Sequence, residues 1–161
     1  MKLKTILSSI VVAAALGMAA PAAVAQNPGI VMAGSTDVAS LPEAAKKFLD
    51  KHFKGVAVKE CEKKFVNGEF DVELASGIDV DFNSRGDVIE IDAPDRAVLP
   101  TEVVKDVVPD KTFKHLQENG LASKVESIKY KNGKVIEIET VVVDPDTFIF
   151  DLDGNLLMIE D

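Results

Sequence analysis

The amino-acid sequence predicts an α+β fold: two tandem helix-plus-antiparallel-meander units whose strands join in one sheet covered on one face by helices. Three observations predict it. Apolar residues recur at three- and four-residue spacing after Leu41 and again after Leu99, the period of a helix with one buried face. Each helical region gives way to alternating apolar and polar residues punctuated by Asn-Gly, Ser-Gly and Asp-Gly turns. The two regions also end alike: Phe82-Asn83-Ser84-Arg85-Gly86-Asp87-Val88 aligns with Phe150-Asp151-Leu152-Asp153-Gly154-Asn155-Leu156. That match reads as an internal duplication, residues 41–92 repeated in residues 99–160 of a single domain spanning 41–161.

The elements follow in order. Residues 1–25 have the three parts of a secretory signal: Lys2 and Lys4, the apolar run Ile6 to Leu16, and small residues at Ala23-Val24-Ala25. Pro21 interrupts the stretch before it reaches the ~20 apolar residues of a membrane span. No cysteine stands at the cleavage site to make a lipoprotein. Residues 26–40 are small, polar and unpatterned, a flexible lead-in. Leu41-Pro42-Glu43 opens a helix, with proline at the first helical position where its missing N–H costs nothing. Ala45, Phe48, Leu49, His52 and Phe53 mark its apolar side, and Gly55 ends it. Strands then run from Val56 toward Phe65, from Glu69 to Leu74, from Ile78 to Phe82 and from Val88 to Ile91, with Asn67-Gly68 as the clearest hairpin signal.

The second unit repeats the order. Leu99-Pro100-Thr101-Glu102 opens a helix carrying Val103, Val104, Val107 and Val108, and Pro109 must break or restart it. A further helix carries Phe113 and Leu116 and stops at Asn119-Gly120. Strands are expected at Val125 to Tyr130, Val135 to Val143, Thr147 to Phe150 and Leu156 to Ile159.

A family resemblance rests on Leu41-Pro42, Phe48, His52-Phe53, Phe70 with Val72-Glu73-Leu74, Ser76-Gly77, and Phe82 through Gly86. On these residues the chain resembles the PepSY-like exported proteins of Gram-negative bacteria, especially Bacteroidetes, which are similar in fold to the beta-lactamase inhibitory proteins. The resemblance covers residues 41–92 closely and 99–160 more loosely. It implies a helix-plus-meander repeat, export, and binding of a protein rather than turnover of a substrate. No inhibitor loop matches residue by residue, so it does not imply inhibition of a beta-lactamase.

Charge and composition narrow the functional classes. Removing Lys2 and Lys4 with the signal lowers the 18 basic residues to 16 against 27 acidic ones, a net charge of −11 rather than −9. Such a domain repels nucleic-acid phosphates and anionic lipid, and attracts cations and basic partners. Cys61 is the only cysteine, so the fold has no internal disulfide and Cys61 reads as a small buried hydrophobe. His52 and His115 lack His, Cys or carboxylate partners at metal spacing, and no nucleophile motif or phosphate loop is present. Asp151-Leu152-Asp153-Gly154-Asn155 has the look of a calcium loop, but counting from Asp151 places leucine where that loop needs glycine, so a hairpin turn is expected.

One feature carries functional colour. Alternation turns Phe70, Val72, Leu74, Ile78, Val80 and Phe82 to one face and Glu69, Asp71, Glu73, Asp79 and Asp81 to the other. Lys59, Lys63 and Lys64 on the preceding strand are placed to neutralise part of this face. A solvated acidic face guards a sheet against aggregation; a docking face takes a basic partner or divalent cations. The expectation is therefore a periplasmic or secreted, non-enzymatic module without cofactor. It would bind another exported or envelope protein through Glu69, Asp71, Glu73, Asp79 and Asp81, with no nucleic acid and no membrane insertion after the signal is removed. The alternative is a divalent-cation-binding envelope protein using the same face.

Overall fold

A computed structural model describes residues 38–142 and 146–160. The expected signal, most of the expected lead-in, and the segment 143–145 lie outside the described residues. The elements run α1 (Glu43–His52), β1 (Val58–Lys63), β2 (Phe70–Leu74), β3 (Asp79–Phe82), β4 (Val88–Asp92), α2 (Thr101–Val107), α3 (Asp110–Glu118), β5 (Val125–Lys131), β6 (Val135–Thr140), β7 (Thr147–Asp151) and β8 (Leu156–Glu160).

The eight strands form one antiparallel sheet in chain order, from β1 at one edge to β8 at the other. Every neighbour in the sheet is thus a neighbour in sequence, and only the β4–β5 connection leaves the sheet to build α2 and α3. All three helices lie on the face that carries the apolar residues. Phe48 of α1 meets Phe82 edge-on at 5.8 Å, the Tyr130 hydroxyl of β5 donates to the Val107 carbonyl of α2, and His115 of α3 meets Phe150 at 5.4 Å. Phe82, Phe150, Ile91, Ile128, Ile136 and Ile138 are among the large side chains buried beneath them. One continuous core draws on β1 to β7 and on all three helices, and β8 contributes no buried residue to it.

Pro42 stands one position earlier than expected, before the helix rather than in its first turn. Pro42, Pro100 and Pro109 each immediately precede a helix with extended ψ of 149°, 132° and 146°, and none of the three helices is capped by a side chain. Pro109 separates α2 from α3 because its ring cannot follow a helical residue without a clash. The turns Asn83–Asp87 and Asp151–Asn155 share one construction. Asn83 Oδ1 accepts the N–H groups of Arg85 and Asp87, and Asp151 Oδ1 accepts those of Asp153 and Asn155. Each turn presses its glycine onto a helix start, Gly86 against the Ala45 amide and Gly154 against the Thr112 amide.

Several element boundaries differ from expectation. The last residues of the expected lead-in, Val38–Ser40, form a 3-10 turn closed by the Leu41 amide on the Val38 carbonyl. Strand β1 starts at Val58 rather than Val56, because the Val56 amide closes onto Phe53 at the end of α1. Strand β6 stops at Thr140 instead of running to Val143. There the Thr140 amide bonds the Asp146 carbonyl and the Val141 amide bonds the Lys124 carbonyl, which turns the chain out of the ladder.

Candidate functional site

The open face of the sheet, opposite the helices, carries the acidic residues in ranks. Antiparallel pairing sets Glu62 against Asp71, Asp71 against Asp81, and Asp81 against Glu90. Two residues along each strand, a second rank pairs Glu60 with Glu73, Glu73 with Asp79, and Asp79 with Asp92. Four strands spaced about 4.8 Å apart make each rank about 14 Å long. These eight carboxylates line a concave depression of about 430 Å³. Like charges directly opposite each other oppose pairing by roughly 0.2–1 kcal/mol per pair. The buried side chains on the reverse of the same strands hold the arrangement together.

Lysines compensate only part of each rank. Lys59 pairs with Glu73, Lys64 with Asp81 at 2.8 Å and Asp71 at 3.8 Å, and Lys129 on β5 with Glu90. Their ammonium groups are held above the usual lysine range, chiefly by hydrogen bonds to Glu73, Asp81 and Glu90 respectively. Lys63 instead lies over the Phe70 ring at 5.2 Å. Asp79 and Asp92 have no ion pair among the described residues. Burial, then Glu90, pushes the Asp92 carboxyl up to about 6. Burial followed by Glu73 raises Asp79, and burial followed by Asp81 raises Asp71. The depression is a reservoir of negative potential with too few local cations.

Of the residues expected to form the site, Asp71, Glu73, Asp79 and Asp81 line the depression; Glu69 precedes β2, outside it. Glu60, Glu62, Glu90 and Asp92 join them. The last two follow from continuing the alternation of Val88 to Ile91 into the next strand. The first two are obscured by a bulge between Val58 and Glu60, which lets Val58 and Cys61 both face the core although they are three residues apart.

The other chemically suggestive residues serve the scaffold. Cys61 is buried. His52, its side chain 5% exposed, bonds Asp106 at 3.0 Å beside Lys51, tying α1 to α2. The Lys51 hydrogen bond holds the Asp106 carboxyl below its usual range. The Asp151 carboxylate is lowered too, first by the Asn155 side chain and then by the Asn155 amide, consistent with a hairpin turn. Among the described residues, no three His, Cys, Asp or Glu side chains are grouped so that they could hold a metal ion.

No family model matches the chain, and no curated protein is significantly similar to it. Solved structures do share the fold, among them proteins of Bacteroides described as candidate periplasmic proteins. A candidate periplasmic protein of unknown function from Bacteroides vulgatus is 28% identical with a TM-score of 0.61, covering 79% of this chain and 97% of that one. A candidate calcium-regulated periplasmic protein from Bacteroides thetaiotaomicron is 24% identical with a TM-score of 0.64, covering 78% and 94%. A second Bacteroides vulgatus protein, of the DUF2874 family, is 22% identical with the same TM-score of 0.64 and the same coverage. No helix among the described residues is long and apolar enough to cross a membrane. The chain is an exported protein, periplasmic or secreted.

Proposed function

We propose that the chain is a non-enzymatic binding module, PepSY-like and similar in build to the beta-lactamase inhibitory proteins, whose acidic open face docks a basic segment of another exported protein. The observation that carries this reading is the pair of four-carboxylate ranks crossing β1 to β4. A wide, shallow array suits several ammonium or guanidinium groups on one extended segment, each meeting its own carboxylate. Such arrays favour encounter rate and choice of partner over raw affinity. The repeat reading draws support from the two turns that seat Gly86 and Gly154 on helix starts in the same way.

The test is affinity capture from envelope extract with the exported chain as bait, beside a variant carrying Asp71→Lys and Asp79→Lys. Enrichment of one basic protein by the native bait, lost with the folded variant, is the expected result. Equal capture by both baits rules the face out.

A second reading is favoured by the solved neighbour described as calcium-regulated: the same face would take divalent cations. Carboxylates raised by burial and by one another bind a cation with relief of that repulsion. This reading expects the melting temperature to climb with calcium as mass action dictates. A flat melting temperature through millimolar calcium removes it.

A further inference from the structure

Phe65 and Val66 stand 98% and 100% exposed in the turn between β1 and β2, where no other large apolar side chain among the described residues exceeds 58%. The turn does not need them. It closes through the Lys64 amide on the Glu69 carbonyl, the Gly68 amide on the Lys64 carbonyl, and the Glu69 amide on Asn67 Oδ1. An aromatic and a branched side chain that support nothing in their own chain suit the apolar centre of an interface.

A matching hollow lies at the same end of the sheet. Strands in chain order run alternately up and down, so turns 64–69, 83–87, 132–134 and 152–155 all fall at one end. A groove of about 660 Å³ reaches that end between α1 and α2, with Phe48, Val88, Ile89, Val107, Tyr130 and Leu152 as its apolar lining. Gly86, Gly133 and Leu152 bring three of the four turns to it. Its floor lies over β4 and β5, three strand spacings or about 14 Å from the Phe65–Val66 tip. Charge marks the same end. In a chain of net charge −9, the four turns carry Lys64, Arg85 and Lys134 against Glu69, Asp87 and Asp153, three of each sign. A second copy approaching here meets no net repulsion, whereas the acidic ranks of the open face would repel it.

We infer that this end pairs with the same end of a second copy of the chain, the Phe65–Val66 tip of each filling the groove of the other. Knob and hollow on one surface are what a two-fold interface needs: an axis midway between them makes both contacts at once and closes the pair. The acidic ranks face away from the sheet rather than along its strands, so they stay open in the dimer. A fully buried phenylalanine hides about 150–250 Å², the valine somewhat less, and the groove walls lose a like area. The two contacts together bury on the order of 1,300 Å², at the lower end of the ~1,200–2,000 Å² of specific complexes. The dimer therefore dissociates with a constant between about 1 and 100 µM.

Sedimentation velocity on the exported chain purified from the periplasm, from 1 µM to 1 mM, reads this directly. Phe65→Ser, which removes a ring exposed to solvent in the single chain, raises the dissociation constant at least tenfold while the melting curve stays cooperative. Leu152→Lys, which puts a charge in the groove, does the same. A mixing experiment separates tip-in-groove contact from tip against tip. The Phe65→Ser chain keeps an intact groove and the Leu152→Lys chain an intact tip, so an equimolar mixture recovers one contact of the two. It associates more tightly than either variant alone and less tightly than the unsubstituted chain. A monomer throughout the range overturns the inference. So do a dimer indifferent to Phe65→Ser, a mixture no tighter than its separate components, and oligomers that grow beyond two copies with concentration.

Discussion

Replacing Gly86 by alanine tests how the hairpin turns are fixed to the helices. Gly86 has φ +91°, and a Cβ built there would lie 2.7 Å from the Ala45 amide nitrogen and 2.9 Å from Pro42 Cβ. The left-handed backbone alone costs alanine about 1–2 kcal/mol. The clash adds overpacking of about 1–3 kcal/mol, because the nearest atom is helix backbone and has no rotamer to yield. Gly133 supplies the control: its φ is +60° but nothing lies within 4 Å of its missing Cβ, so only the conformational cost applies. Thermal melts of Gly86→Ala and Gly133→Ala under identical conditions separate the two contributions. At about 3–6 °C per kcal/mol for a domain of this size, Gly86→Ala loses about 3 °C or more beyond Gly133→Ala. Gly154→Ala behaves like Gly86→Ala, since its Cβ would stand 2.9 Å from the Thr112 amide. Equal losses at Gly86 and Gly133 would refute the reasoning.

The acidic face and the helix layer give further expectations. Asp92 has a folded-state pKa of about 6 against an ordinary value of 3.8, so the native state holds its proton longer than the unfolded chain does. Stability therefore falls as pH rises from about 4 to about 6. Asp92→Asn removes that dependence: it melts higher than the native chain at pH 7.5 and matches it near pH 4, and a lower melting temperature at pH 7.5 contradicts the assignment. Tyr130→Phe deletes the bond to the Val107 carbonyl that ties β5 to α2. It lowers the urea midpoint by an amount equivalent to about 0.5–1.5 kcal/mol with an unchanged slope; an unaltered midpoint means that the bond contributes nothing net.

The order of elements could be read from the sequence because its signals are local. Proline before each helix, glycine after each turn and strict alternation in Phe70–Leu74 depend on a few adjacent residues, and all eight strands appear where those signals stand. The acidic ranks were only half visible for the opposite reason. Which carboxylates face each other depends on register between strands. Glu60 and Glu62 enter through a bulge that no local pattern announces, and Glu90 and Asp92 through pairing two strands away from Asp71. The end of β6 at Thr140 likewise depends on Lys124 and Asp146, partners distant in sequence.

The chain-order sheet also sets how the protein can assemble itself. Seven strand pairings make up the sheet, and six of them join segments separated only by a short connection. Each of those hairpins can close early, at little entropic cost. The remaining pairing, β4 with β5, cannot form until residues 93–124 have been gathered into α2 and α3. Folding should therefore run as two locally built halves meeting at a single late seam. A destabilising change at Ile91 or Ile128, which face each other across that seam, would then act mainly on the rate of unfolding. A change inside either half would slow folding itself.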